Sequence, residues 1–275
     1  MLQKLLFFIT LSCFLMPQML HAGAVTERIK SSQTLVVGTT GDFPPFAANT
    51  TQGKVIGFDI DLARKLANGL GLTLQLKQME FAKLLPAIED GSIDIALSGI
   101  TMMPSRNLDV AFIGPYATSG QSLLGKEQLI STITSNEKLA NATFTIAALQ
   151  GSTSEKAARE GKPHAKVILT QTHDQSLILL LNGEVDAILA DFPFCKVAEF
   201  RYPQHNLKAL ENALTFEPLG MAISGDDPLF QNLIRNFLLV MEGSGTLEKL
   251  KNKWFKNNSW IKTLPDMDFF KNLEQ

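Results

Sequence analysis

Short β-rich apolar runs alternate with stretches of helical period along this chain, a pattern that predicts α/β layering. The run TLVVGTT (34–40) reads as a buried strand. In GFDIDLARKLANGLGL (57–72), Leu62 and Leu66 share one helical face, Asp59 and Asp61 favour the N-terminal end, and Gly71 supplies a stop. TLQLKQM then alternates as a strand, FAKLLPAIEDG is helical, and SIDIALSG is the next strand.

The second half repeats this grammar. LNGEVDAILADFP (181–193) lies over EDGSIDIALSGIT (89–101), so that Gly91 matches Gly183, Ile93 matches Val185 and Asp94 matches Asp186, each pair 92 residues apart. TFTIAALQGST (143–153) resembles TLVVGTTGDF (34–43) in the same way. Two similar lobes follow, each with a sheet whose strand ends carry small and polar residues. Open α/β sheets bind ligands at the carboxyl ends of their strands.

The N-terminus changes the picture of where the chain acts. Lys4 precedes the apolar run LLFFITLSCFLMPQML and then HAGAV, which reads as a secretory signal cleaved after Ala22 or Ala24. Pro17 and Gln18 cut the run short of the ~20 residues a membrane span needs. Removing 22 of the 275 residues leaves 253, enough for two lobes. The full chain carries a net charge of −2 with no basic stripe, which excludes a nucleic-acid partner. Cys195 is the one cysteine left after cleavage, so no internal disulfide is expected, and it reads as a buried thiol. His164, His173 and His205 have no metal-ligand spacing, and neither a phosphate loop nor a nucleophile elbow is present.

One repeated strand end offers Ser98, Gly99, Thr101 and Arg106; the other offers Asp191. Arg106 can grip a carboxylate through two parallel N–H bonds, with Thr101 and backbone N–H groups taking the remaining lone pairs. Asp191 can accept from an ammonium, helped by the Gly99 carbonyl. An α-amino acid carries both charges on one carbon. QGSTSEK (150–156) opens a helix whose free N–H groups and Thr153 hydroxyl make a further carboxylate seat. Taken singly, Arg106 could be a solvated helix charge and Asp191 a helix cap; their equivalent places in the repeat favour the receptor. Phe43 and Phe81 stand near these ends and could cover a ligand side chain.

The motifs GTTGDFPPF, GFDIDLARKLA, SGITMMPSR, LQGSTSEK and DAILADFP, in this order from Leu35 to about Trp254, resemble the bacterial extracellular solute-binding proteins of the polar amino-acid type. These are the capture subunits of ATP-driven (ABC) importers. The resemblance implies a two-lobed periplasmic-binding-protein fold of type II, each lobe a mixed sheet flanked by helices. Lobe 1 would span 33–119 plus 219–262, lobe 2 would span 120–218, and 263–275 would form a tail. The hinge strands would lie near Thr118–Gln121 and Thr215–Gly220. It also implies that Arg106, Thr101 and the Thr153 N–H bind the α-carboxylate, that Gly99 and Asp191 bind the ammonium beside Ser98, and that Phe43 and Phe81 sandwich the side chain. Members taking cationic side chains commonly place an aspartate where this chain has Thr40; Asp42, two residues on, could substitute for it, and the resemblance points to a neutral or polar L-amino acid. It further implies a periplasmic monomer, without cofactor, that delivers its ligand to a membrane permease.

The same fold hosts a periplasmic cyclohexadienyl (prephenate/arogenate) dehydratase, and GTTGDFPPF resembles its opening motif. That pattern needs a general acid three residues after the strand-end aspartate. Counting from Asp191, the position is Phe194, which has no proton to give; the expectation is therefore a binding protein and not an enzyme.

Overall fold

Strand β1 (Thr34–Thr39) sends Leu35 and Val37 into one apolar cluster and Val36 into another. Burial on both faces is what places such a strand in the middle of a sheet. The computed structural model describes residues 23–133, 143–161 and 165–266; the expected signal segment 1–22 and residues 267–275 of the expected tail lie outside them.

The remaining strands, in chain order, are β2 (Asp42–Phe43), β3 (Ala47–Asn49), β4 (Val55–Ile56), β5 (Thr73–Gln78), β6 (Ile95–Ala96), β7 (Ala111–Ser119), β8 (Gln121–Lys126), β9 (Thr145–Leu149), β10 (Lys166–Thr170), β11 (Ala187–Asp191), β12 (Leu207–Ala209) and β13 (Glu217–Ile223). The first five-stranded sheet has the order β5-β1-β6-β13-β7 and the second β10-β9-β11-β8-β12. In each, a central strand pairs in parallel with two neighbours, β1 with β5 and β6, β9 with β10 and β11. Antiparallel strands complete them: β13 between β6 and β7, and β8 between β11 and β12. The two sheets are therefore the same sheet built twice. β2, β3 and β4 form a small antiparallel sheet of their own.

The helices used below are α1 (Ala24–Ser32), α2 (Phe58–Leu70), α3 (Leu84–Glu89), α4 (Glu127–Ile130), α5 (Thr153–Gly161), α6 (His173–Asn182), α7 (Phe192–Arg201), α8 (Pro228–Gly243) and α9 (Thr246–Lys251). No helix among the described residues is long and apolar enough to cross a membrane. Gly71 ends α2 in the left-handed conformation, as its sequence position predicts.

The repeat extends to individual hydrogen bonds. Asp94 Oδ2 accepts from the Val36 N–H at 2.7 Å, and Asp186 Oδ2 accepts from the Thr145 N–H at 2.7 Å. In both, the aspartate's own N–H returns to the carbonyl of the same partner. These bonds explain why SIDIALSG pairs as a strand only at Ile95–Ala96: the Asp94 side chain supplies part of what a longer ladder would. Asp94 also forms an ion pair with Arg28 of α1.

Two chain crossings connect the sheets, β7 into β8 at Gly120 and β12 into β13. They run side by side. Gln121 N–H donates to Thr215 Oγ1 at 2.8 Å, Leu214 N–H to the Gln121 carbonyl at 2.7 Å, and Glu217 pairs with Ser119. A Cβ on Gly120 would come within 2.0 Å of the Thr215 carbonyl oxygen, so the close approach requires glycine there.

Candidate functional site

At the end of β6 the chain turns through Ser98 and Gly99. Gly99 holds φ +58°, and a Cβ there would meet the Phe43 ring at 2.5 Å, so conformation and packing both demand glycine. Its N–H donates to Asp59 Oδ2 at 2.7 Å, and the same oxygen accepts from the Tyr116 hydroxyl at 3.2 Å. Asp59 thus turns inward to hold the strand end. Burial pushes its carboxyl up to about 7 against the pull of those two bonds. The hydroxyls of Ser98 and Thr40 lie 2.9 Å apart, and Gln78 Nε2 donates to the Thr40 carbonyl at 3.3 Å.

Arg106 stands on a one-turn helix (Arg106–Leu108). It donates through Nη1 to the Thr101 carbonyl at 2.9 Å and through Nη2 to the Gly151 carbonyl at 3.0 Å. Gly151 follows β9 in the second sheet, so this bond spans the cleft. The guanidinium lies 5.7 Å from the centre of the Phe81 ring. Burial lowers its pKa, while the charges of Glu217 and Asp191 oppose the shift. Two of its five N–H groups are engaged by these carbonyls, which leaves a fork for an anion.

The second strand end carries Asp191, the last residue of β11. It is 7% exposed, and Oδ1 accepts no well-aligned hydrogen bond among the described residues, although the Ser119 hydroxyl is near enough to stabilise the charge. Although Asp191 precedes α7, its side chain makes no capping bond. Burial pushes its carboxyl up to about 7, the Glu217 charge adds to the shift, and Ser119 and Arg106 draw it down. A buried acceptor with a free oxygen, within the field of Arg106, is what an ammonium requires.

Thr153 opens α5. Its Oγ1 accepts from Gln121 Nε2 at 2.9 Å and donates to Glu217 Oε2 at 2.9 Å. Thr101 Oγ1 donates to the same Glu217 oxygen at 2.7 Å. The hydroxyls of Thr101 and Thr153 are therefore brought together by an acid that the sequence reading passed over.

The two rings of the expected sandwich have different neighbours. Phe81 faces Arg106, whereas Phe43 is buried and stacks on His173 at 4.3 Å and 13°, with Phe46 and Phe194 beside it. His173 begins α6 in the second sheet's helical layer, and its backbone N–H donates to Asp42 Oδ2 at 2.7 Å. The structure thus couples Phe43 to α6 and Phe81 to the guanidinium. Among the described residues no group of His, Cys, Asp and Glu is arranged to hold a metal ion.

The family model of the bacterial extracellular solute-binding proteins, family 3, matches residues 35–257. The chain belongs to this family. The crystal structure of the ancestral amino acid-binding protein AncCDT-1, a precursor of cyclohexadienyl dehydratase, is 35% identical, with a TM-score of 0.76 over 83% of this chain and 98% of that one. The ABC transporter glutamine-binding protein GlnH of Bacillus subtilis is 28% identical over 84% of both chains. Cyclohexadienyl dehydratase of Pseudomonas aeruginosa is 26% identical over 84% of this chain and 85% of its own. These similarities carry the two-lobed architecture.

In this solute-binding protein, Phe194 is buried at 1% exposure and its ring packs at 4.6 Å from His173 and 5.8 Å from Phe43. An apolar ring thus occupies the position three residues after Asp191. Cys195 is fully buried, with Sγ 3.8 Å from the carbonyls of Ser122 and Ala190, and burial pushes its thiol up, the opposite of nucleophile activation. Glu217, Gln121 and His173 are the residues that sequence reasoning missed. Glu217 did leave a signal, as the sole ionisable side chain in the second crossing, TFEPLG (215–220).

Proposed function

We propose that this protein captures a free L-amino acid outside the cytoplasm and delivers it to the permease of an ABC importer. The observation that carries the reading is the opposed pair of Arg106 and Asp191, at equivalent ends of two copies of one sheet, with the unpartnered carboxylate oxygen of Asp191 buried. The α-carboxylate takes the guanidinium fork and the N–H of Thr153, and the ammonium takes Asp191 and the Gly99 carbonyl. Lobe 1 (33–119 plus 219–262) and lobe 2 (120–218) close on the ligand about the paired crossings at 118–121 and 215–220. The signal-like segment 1–22 and the extracellular character of the family support export to the periplasm, where the protein acts as a monomer.

For the side chain, a neutral polar group is the reading the site supports best. Thr40 engages Ser98, and Asp42 commits Oδ2 to the His173 N–H. One observation favours a cationic side chain instead: Asp42 Oδ1 is buried without a partner among the described residues. A thermal-shift screen of the mature protein against the twenty amino acids, ornithine, citrulline and prephenate separates these readings, because a ligand of the folded state raises Tm by mass action. A shift with an amino acid is expected, and a separate assay with prephenate and arogenate should give no product. Product formation from either would establish the dehydratase reading in its place.

A further inference from the structure

Glu217 is 6% exposed and sits where β13 begins, between the two sheets. Its four hydrogen bonds come from both sides. Oε2 accepts from Thr101 at 2.7 Å, on the loop after β6, and from Thr153 at 2.9 Å, at the head of α5. Oε1 accepts from Gln121 Nε2 at 2.9 Å and from Thr215 Oγ1 at 3.1 Å, both on the crossings. Gln121 is itself oriented by the Ser154 hydroxyl, which donates to its Oε1 at 2.6 Å.

A threonine hydroxyl has a single proton. With both protons given to Glu217, Thr101 and Thr153 face the cleft only as acceptors, and a ligand carboxylate must be held by Arg106 and backbone N–H groups. The hydroxyls instead serve to join the sheets. Since a carboxylate bonded by four neutral donors is strongly held, the join is fixed on the first-sheet side through Thr101 and on the second through Thr153 and Gln121.

We infer that Glu217 is the latch of the clamp, a positioning residue that holds the closed arrangement and thereby sets how long an amino acid stays bound. This rests on the amino-acid reading for its ligand and on the hydrogen-bond network alone for its mechanics. Opening the cleft separates Thr101 from Thr153 and must break at least one of their two bonds to Glu217, so the latch slows release while leaving encounter unchanged.

The test compares wild type with Glu217→Gln, in which an NH2 group replaces one acceptor oxygen and meets a donor. Stopped-flow binding of the amino acid found in the screen should give a dissociation rate at least about tenfold faster, with an association rate within about twofold. A second readout is specific to the charge. Asp191 is faced by Glu217, Arg106, Ser119, Tyr116 and Cys195, and the Glu217 charge raises its pKa. Removing that charge should move the pH midpoint of binding to lower pH, which loss of packing would not do. Small-angle scattering without amino acid reads the latch directly: Glu217→Gln should have a larger radius of gyration than wild type. An unchanged radius overturns the latch whatever the ligand proves to be, and an unchanged dissociation rate overturns it for a bound amino acid. Failure of wild type to bind any amino acid would sink the functional reading but not a change in radius. If Glu217→Gln does not fold, Thr153→Val removes the hydroxyl that reaches Glu217 from the second-sheet side while keeping the Thr153 N–H; it should enlarge the radius in the same direction, and no change counts against the latch.

Discussion

The guanidinium of Arg106 reaches the Gly151 carbonyl at 3.0 Å, joining the segment after β6 of the first sheet to the turn after β9 of the second. In the proposed receptor such a side chain serves ligand capture and closure at once. Arg106→Ala should therefore weaken every amino-acid ligand similarly, by about 3–5 kcal/mol, which is about a hundredfold or more in Kd. Arg106→Lys keeps the charge but loses the fork and should recover only part of that affinity. Calorimetry on a panel of ligands checks both; wild-type affinity in Arg106→Ala would sink the receptor model.

The role proposed for Asp191 predicts pH-dependent binding. Its carboxyl is pushed up to about 7, and only the ionised form pairs with an ammonium, so affinity should fall as pH drops through 7 towards 5. Stability runs the other way. A carboxyl raised above its ordinary 3.8 contributes stability fully below that value and loses it as pH rises to about 7. Asp191→Asn should bind weakly at every pH, with a flatter affinity profile between pH 5 and 8, and its urea midpoint should decline less over pH 4–7 than that of wild type.

The stack of Phe43 on His173 ties α6 to β2 of the small antiparallel sheet. Burial alone would raise the Asp42 carboxyl, but its bonds and charge interaction with His173 hold it below the usual range. Its contribution to stability is thus present above about pH 4 and lost as pH falls through the depressed value. His173→Ala should shrink that acid-side loss and loosen the lobe contact, read as a larger radius of gyration. Phe43→Ala, which removes a buried ring, should cost about 3–5 kcal/mol of stability and also reorder the ligands.

The equivalent aspartates offer an internal comparison. Replacing Asp94 or Asp186 with alanine takes away the acceptor of a backbone N–H, a loss of about 1–3 kcal/mol where that group is buried. Asp94 is buried where Asp186 is exposed, and Asp94→Ala also unpairs Arg28, so for both reasons its denaturation midpoint should fall further than that of Asp186→Ala. Equal losses would contradict a role for the Arg28 pair.

Much of this architecture could be read from local pattern. The alternation of runs, Gly71 as a stop, and the matches of Asp94 with Asp186 and of Val36 with Thr145 all rest on neighbours within a strand or helix or on repetition, and both are visible along one dimension. Arg106 and Asp191 were legible for the same reason: each stands at or beyond the end of a strand whose twin lies elsewhere in the chain. Asp59 was half legible. Its place at the head of α2 followed from the pattern, but its inward bond to Gly99 did not, because that depends on how helix and strand pack.

By itself, then, the sequence determined two α/β lobes, their repeated strand ends and the two opposite charges placed there. Only the tertiary structure decided what those charges meet. Glu217 lies 116 residues from Thr101, and His173 lies 131 residues from Asp42. Their contacts arise where two separately folded sheets approach each other, and no periodicity records such an approach. Hydrogen bonds act over about 3 Å whatever the intervening chain length. The partners of the threonine hydroxyls and of the Phe43 ring were therefore fixed by the packing of one sheet against the other.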